Sequence, residues 1–171
     1  MTLSRHALVV QRSGDVTGAS DDVFVIEQSL GYLVNALARA FARALGDRIR
    51  PHGVTPAQWA VLLVLWAEDG QTQTVLSRRV AIETPTMVRT LDRMERDGLV
   101  ERRRDPRDRR RVNVTLTEQG RSLRDVLVPC AVAVNEVATS EMDREERLQA
   151  VEYVRRMLMA LTPRRREAVQ R

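Results

Sequence analysis

Apolar residues return every three or four positions from Ile26 through Leu30, Leu33, Val34, Leu37, Phe41, Leu45 and Ile49. That spacing predicts one face of a helix of about six or seven turns, ended by Pro51 and Gly53. Thr55 to Gln58 reads as a capping box with Pro56 at the first helical position and Val54 placed to staple onto Trp59. The helix that follows, Ala57 to Ala67, is apolar nearly all round and belongs inside the domain; Gly70 closes it. Two short helices come next, Thr74 to Val80 and Pro85 to Asp97, joined by a tight turn at Ala81 to Glu83. Thr84 is a good N-cap for the second, and Gly98 sits where a left-handed C-terminal cap belongs. Val112, Val114 and Leu116 then alternate with Asn113 and Thr115 as a half-buried strand, and Val100 leads toward it through an Arg-rich loop, so the segment is a hairpin with a charged tip. Thr117 caps a helix carrying Leu123, Val126, Leu127, Val134 and Val137, with a kink expected at Pro129. A last helix, Asp143 to Leu161, presents Leu148, Val151, Val154, Leu158 and Leu161 on one stripe. The fold class is mainly α with a small β-hairpin.

The ends carry no sustained period. Residues 1–22 read as a mobile arm and residues 163–171 as a frayed basic tail. With 171 residues, 43% of them hydrophobic, the chain can bury one ordinary core. Cys130 is the only cysteine, and His6 and His52 are the only histidines, so neither a Cys/His zinc cluster nor an intrachain disulfide framework can be assembled. No metal and no cofactor is expected. No apolar run approaches a membrane span and the N-terminus lacks a signal-like core, which predicts a soluble, cytoplasmic protein with no membrane partner. An enzyme would need a catalytic constellation, and with one Cys, two distant His, no Gly-rich phosphate loop and no nucleophile elbow, none can be named.

Charge changes the picture. The formal net charge is +5, and all of the basic residues are Arg, which favours a polyanionic partner. On the helix from Pro85 to Asp97, Met87, Val88, Leu91 and Met94 share one face, while Thr86, Arg89, Thr90 and Arg93 share the other. Short hydroxyls near a helix start and two Arg one turn apart suit a major groove, where Arg can bond guanine O6 and N7 in bidentate fashion. A solvated face has the same pattern, so the hairpin tip decides. From Glu101 to Arg111 there are seven Arg (Arg102, Arg103, Arg104, Arg107, Arg109, Arg110 and Arg111) against Glu101, Asp105 and Asp108, a net +4 in eleven residues. Such a cluster repels itself unless phosphates are near, and an Arg at a narrow tip can enter the electronegative minor groove. Asp108 can hold the Arg110 guanidinium in an aimed rotamer.

The run from Gln73 to Gly120, above all IETPTMVRTLDRMERDGLVERRRDPRDRRRVNVTLTEQG from Ile82, resembles the winged helix-turn-helix of MarR-family regulators, most nearly the SlyA-type branch. A looser likeness runs from Leu30 to Leu161 and includes TPAQW at Thr55 to Trp59. The Asp108-Arg109-Arg110 tip and the LTEQG after the second wing strand are its specific parts. The resemblance implies a homodimer built from helices in residues 23–54 and 117–162, with a DNA-binding winged helix-turn-helix in residues 55–116. Recognition helices would enter successive major grooves of an imperfectly palindromic double-stranded operator, with wings in the flanking minor grooves. By this likeness Arg89 is the base-contacting Arg and Arg110 the wing-tip Arg supported by Asp108; Thr84, Thr86, Thr90, Arg93, Arg107 and Arg109 complete the expected DNA contacts. Ala81 departs from the family, which often has Gly in this bend; a left-handed backbone there would cost roughly 1 kcal/mol for Ala.

Many members of the family bind small aromatic acids or phenolics in a cleft and then release DNA, which implies a ligand-responsive repressor. Arg39 and Arg43 lie one turn apart, His52 and Trp59 flank the next turn, and Tyr32 and Asn35 are further candidates for such a pocket. Taken singly, Trp59 is more often core and the two Arg a solvated or interface face. Cys130, beside Pro129, reads as a buried structural thiol and not an oxidant sensor. A ligand-independent activator or counter-silencer, and a winged helix serving as a protein-interaction module, are the alternative functions.

Overall fold

The computed structural model describes residues 25–104 and 112–162. The arm at residues 1–22 and the basic tail at residues 163–171 lie outside the described residues, as do Arg107, Asp108, Arg109, Arg110 and Arg111 of the wing tip. Six helices and three short strands are described: α1 (Leu30–Ile49), α2 (Pro56–Ala67), β1 (Gln71–Thr72), α3 (Gln73–Val80), α4 (Thr84–Arg96), β2 (Val100–Arg104), β3 (Val112–Leu116), α5 (Glu118–Ala138) and α6 (Arg144–Leu161). The chain divides into two compact units, Met1–Cys130 and Ala131–Arg171, and the division falls within α5, one residue beyond Pro129. The helix continues through that proline.

Local signals account for most element ends. Ile26 does not open α1 as its spacing suggested: Ile26–Gln28 is a separate 3-10 turn, and Ser29 at ψ 119° breaks it from the helix. A second 3-10 turn, Arg50–His52, follows α1 and ends on Gly53 at φ 73°. At the start of α2 the expected capping box is formed. Thr55 Oγ1 accepts from the Gln58 N–H at 3.3 Å, and Gln58 Oε1 accepts from the Thr55 N–H at 2.9 Å. Asp143 and Glu146 form a second capping box at α6. Gly98 is left-handed at φ 70°, and the bonds Leu99 N–H to Met94 O (2.8 Å) and Gly98 N–H to Glu95 O (3.1 Å) close α4 as a Schellman motif.

The core of the first unit is built from α2, α3, α4 and the sheet. Leu62, Leu76, Met87, Leu91 and Met94 are fully buried, with Val114 and Leu116 beneath them from β3. α2 is less enclosed than its composition suggested, for Leu63 is 43% exposed. Trp59 and Trp66 meet edge to face with centroids 5.6 Å apart, and the Trp66 indole N–H donates to the Gly120 carbonyl at 2.9 Å. The sheet is antiparallel in the order β1-β3-β2, with Gln71 opposite Val114 and Val100 opposite Leu116. β1 was not foreseen; two residues are too few to show a period, and pairing with β3 is what makes them a strand.

Gly120, the last residue of LTEQG, is required by packing. A Cβ there would lie 2.1 Å from the Leu99 carbonyl oxygen, so α5 can approach the foot of the wing only without a side chain. Thr117 caps α5 as expected, accepting from the Gly120 N–H at 3.0 Å and donating to the Gly98 carbonyl at 2.6 Å. In the second unit α6 has no buried residue. Among the described residues no helix is long and apolar enough to cross a membrane.

Candidate nucleic-acid interface

α4 is positioned by its apolar face. Met87, Leu91 and Met94 are fully buried, so the opposite face is turned outward by default. Thr84, Thr86, Arg89 and Arg93 are exposed on it, and neither Arg89 nor Arg93 makes an ion pair with a described residue. Two guanidiniums with free forks on one helix face are available to base edges and phosphates.

Two expectations for α4 require correction, Thr84 as its N-cap and the outward placing of Thr90. Thr84 is the first helical residue and not the N-cap; Glu83 holds that place, and its carbonyl accepts from the Met87 N–H at 2.9 Å. Pro85 lies in the first turn, where an N–H has no helical partner to lose. Thr90 is only 8% exposed, and its hydroxyl donates to the Thr86 carbonyl at 3.0 Å. Standing between Met87 and Leu91 on the helix, it falls on the edge of the buried stripe, where a hydroxyl satisfies itself on its own backbone. Of the expected contacts on α4, those that are exposed are therefore Thr84, Thr86, Arg89 and Arg93.

The bend before α4 takes the left-handed conformation at Ala81, φ 56° and ψ 40°. The neighbouring bonds hold it there: the Ile82 N–H donates to the Ser77 carbonyl at 3.0 Å and the Ser77 hydroxyl to the Ile82 carbonyl at 2.6 Å. The strain anticipated for a residue with a Cβ is accepted, at roughly 1 kcal/mol, by a turn its surroundings over-determine.

Part of the wing's positive charge is spent inside the domain. Arg102 pairs with Asp92 at 2.6 Å and Glu95 at 2.7 Å, both on α4, and Arg103 pairs with Glu101. Arg104 makes no ion pair with a described residue. The net +4 counted for Glu101 to Arg111 leaves out Asp92 and Glu95 of α4, which offset Arg102. The sequence pattern also missed what anchors the wing's foot: Asp69 accepts from the Leu116 N–H at 2.9 Å and from Arg121 at 2.6 Å, while Arg121 also donates to the Leu116 carbonyl at 2.7 Å. Asp69 lies 47 and 52 positions from these two partners, beyond any periodic signal. Gln58, buried to 2% exposure, similarly joins the start of α2 to the end of α4 by donating to Asp97 at 2.8 Å.

The candidate ligand residues do not converge on one cavity. A cleft of about 430 Å³ is lined by Ala42, Arg43, Gly46, Asp47, Arg50, Val54, Thr55 and Pro56. Of the six candidates only Arg43 lines it. Trp59 is core, at 7% exposure. Tyr32, Asn35, Arg39 and His52 are exposed, and the Asn35 amide donates to the Gly31 carbonyl at 2.8 Å. Cys130 is partly exposed and not buried as expected, its Sγ 3.4 Å from the Val126 carbonyl one turn back on α5.

Residues 52–111 match the model of the MarR family. The solved structure of a MarR transcriptional regulator from Methanosarcina mazei Go1 superposes with a TM-score of 0.73 at 30% identity, covering 77% of this chain and 94% of that one. The chain belongs to the MarR family. It is a MarR-type winged-helix transcriptional regulator, and the proteins it matches are regulators, not enzymes. The HTH-type transcriptional regulator TtmR of Methylorubrum extorquens is 38% identical over 104 residues, 61% of this chain but 53% of TtmR, so the match spans about half of that relative. The HTH-type transcriptional repressor NicR of Pseudomonas putida is 26% identical over 133 residues, 78% of this chain and 84% of NicR. The MepR-DNA complex of S. aureus has a TM-score of 0.71 at 25% identity, covering 78% of this chain and 98% of that one. The matched residues 52–111 take in α2, α3, α4 and β2 and stop short of β3.

Proposed function

We propose that this protein is a cytoplasmic repressor that binds a specific double-stranded operator as a two-fold homodimer. The exposed face of α4, with Arg89 and Arg93 unpaired above a fully buried apolar stripe, is the observation that carries this reading. A helix so mounted can enter the major groove without disturbing its own core, and MepR, of like fold, is a protein crystallised with DNA. Arg107, Asp108, Arg109 and Arg110 of the wing reach the flanking minor groove, with Arg110 aimed by Asp108. The likeness of the tip and of LTEQG supports a reading within the SlyA-type branch. NicR, a repressor, supports the direction of regulation. The dimer is formed by the apolar stripes in residues 23–54 and 117–162. A small aromatic or phenolic acid releases the operator, with the Arg43 guanidinium at the α1 cleft as partner for its carboxylate.

Selection of bound duplexes from a random pool, followed by footprinting, tests the reading. The expected result is an imperfect palindrome with half-site centres about one helical turn apart. Arg110→Ala should lose most of the operator affinity, and Asp108→Ala should weaken binding although it removes a charge that repels DNA. Binding with no sequence preference would overturn the proposal.

A further inference from the structure

The ion-pair cluster between α4 and β2 plays no part in the function just proposed, yet its geometry is specific. The Arg102 guanidinium donates from Nη2 to Asp92 Oδ1 at 2.6 Å and from Nη1 to Glu95 Oε2 at 2.7 Å. Its backbone N–H donates to the other oxygen, Glu95 Oε1, at 3.2 Å. Asp92 and Glu95 lie three residues apart and so share one face of α4. The Arg102 side chain is 25% exposed, against 67% for Arg103 next to it. A lone surface pair would contribute little. A planar fork divided between two carboxylates, with a third bond from the same residue's backbone, is instead fixed in orientation.

We infer that Arg102 is a positioning residue for operator recognition. It ties the first wing strand to the outward side of the recognition helix and so sets the separation between the helix contacts and the wing contacts. Asp92, Glu95 and Arg102 together carry a net negative charge, so the cluster cannot add to attraction for phosphate; what it contributes is register. A wing held at one angle fits its minor groove only when α4 is seated on the right bases, and a loose wing finds phosphates on any sequence. The inference rests on the proposed engagement of DNA by both α4 and the wing.

The test measures binding of the full chain to its selected operator and to a scrambled duplex across a salt series. The wild-type ratio comes first: equal binding to both duplexes overturns DNA reading and this inference with it. Given a discriminating wild type, two variants examine the clamp alone. Arg102→Lys keeps the charge and loses the fork, while Glu95→Gln keeps the shape and removes a charge that repels DNA. Each should lower the operator-to-scrambled ratio about tenfold, and the double variant should be no worse than either single one, as expected of coupled partners. The slope of log affinity against log salt should stay unchanged for Arg102→Lys and Arg102→Ala. Circular dichroism melting assures that each is compared below its own transition. An undiminished ratio in both single variants overturns the inference while leaving DNA reading intact. So does an Arg102→Ala variant that weakens both duplexes equally and reduces the slope by about 0.9, the mark of a phosphate contact.

Discussion

α4 and α6 are both amphipathic helices with a regular apolar stripe, and the protein treats them in opposite ways. Met87, Leu91 and Met94 of α4 are fully buried. On α6, Leu148, Val151, Val154 and Leu158 are between 46% and 64% exposed, and Leu161 is 84% exposed. The first half of α1 resembles α6, with Leu30, Leu33, Val34 and Leu37 all near half exposure. Equal patterns thus mark unequal fates. A stripe says that a helix needs a partner but not whether that partner is in the same chain, and exposed stripes of this length are what a second copy would cover.

The sharpest way to break the comparison is to truncate one leucine on each stripe. Leu91→Ala should cost about 2 to 5 kcal/mol of folding stability at any protein concentration. Leu158→Ala should instead shift a monomer–dimer equilibrium, so that its melting temperature depends on concentration. Denaturation at several concentrations, with sedimentation, checks both; a concentration-independent loss at Leu158 would place its stripe against the same chain. Next in size, Gly120→Ala should destabilise the winged helix by about 3 kcal/mol, because the added Cβ meets the Leu99 carbonyl and the backbone must move. Urea denaturation reads this directly.

Arg89→Ala should leave stability unchanged and weaken operator binding by about 1 to 3 kcal/mol, with relaxed preference at one base pair. Gel shifts over a panel of operator variants measure it, and uniform weakening across the panel would make Arg89 a phosphate contact. The smallest effect is expected at the bend, where Ala81→Gly should raise stability by about 1 kcal/mol by relieving the left-handed strain. A loss of stability on thermal melting would show that the flexibility glycine adds to the unfolded chain outweighs that relief.

Much of the candidate interface is legible in the sequence, and for a physical reason. The outward placement of Thr86, Arg89 and Arg93 follows from the helical period and the apolar residues between them. Thr90 obeys the same period and still turned inward, because it sits one step from Leu91 at the margin of the stripe, where neighbouring packing decides. The ligand candidates were less legible. Arg39, Arg43 and His52 have nothing in their spacing that distinguishes a pocket wall from a solvated face, and Trp59 found its partner in Trp66.

What the chain's own sequence determined is what short-range physics controls. The capping pairs Thr55 with Gln58 and Asp143 with Glu146 span three residues each, Gly98 needs no neighbour to turn left-handed, and the stripes of α1, α4 and α6 follow from the period alone. The tertiary structure decided everything whose partner lies far along the chain. It drew Arg102 from the wing's charge into the carboxylates of α4, set Asp69 against Arg121 and Leu116, paired the two residues of β1 with β3, and brought the Leu99 carbonyl to where only a glycine fits at Gly120. Such contacts leave no trace in local periodicity, because the fold creates the closeness on which hydrogen bonds, ion pairs and steric exclusion depend.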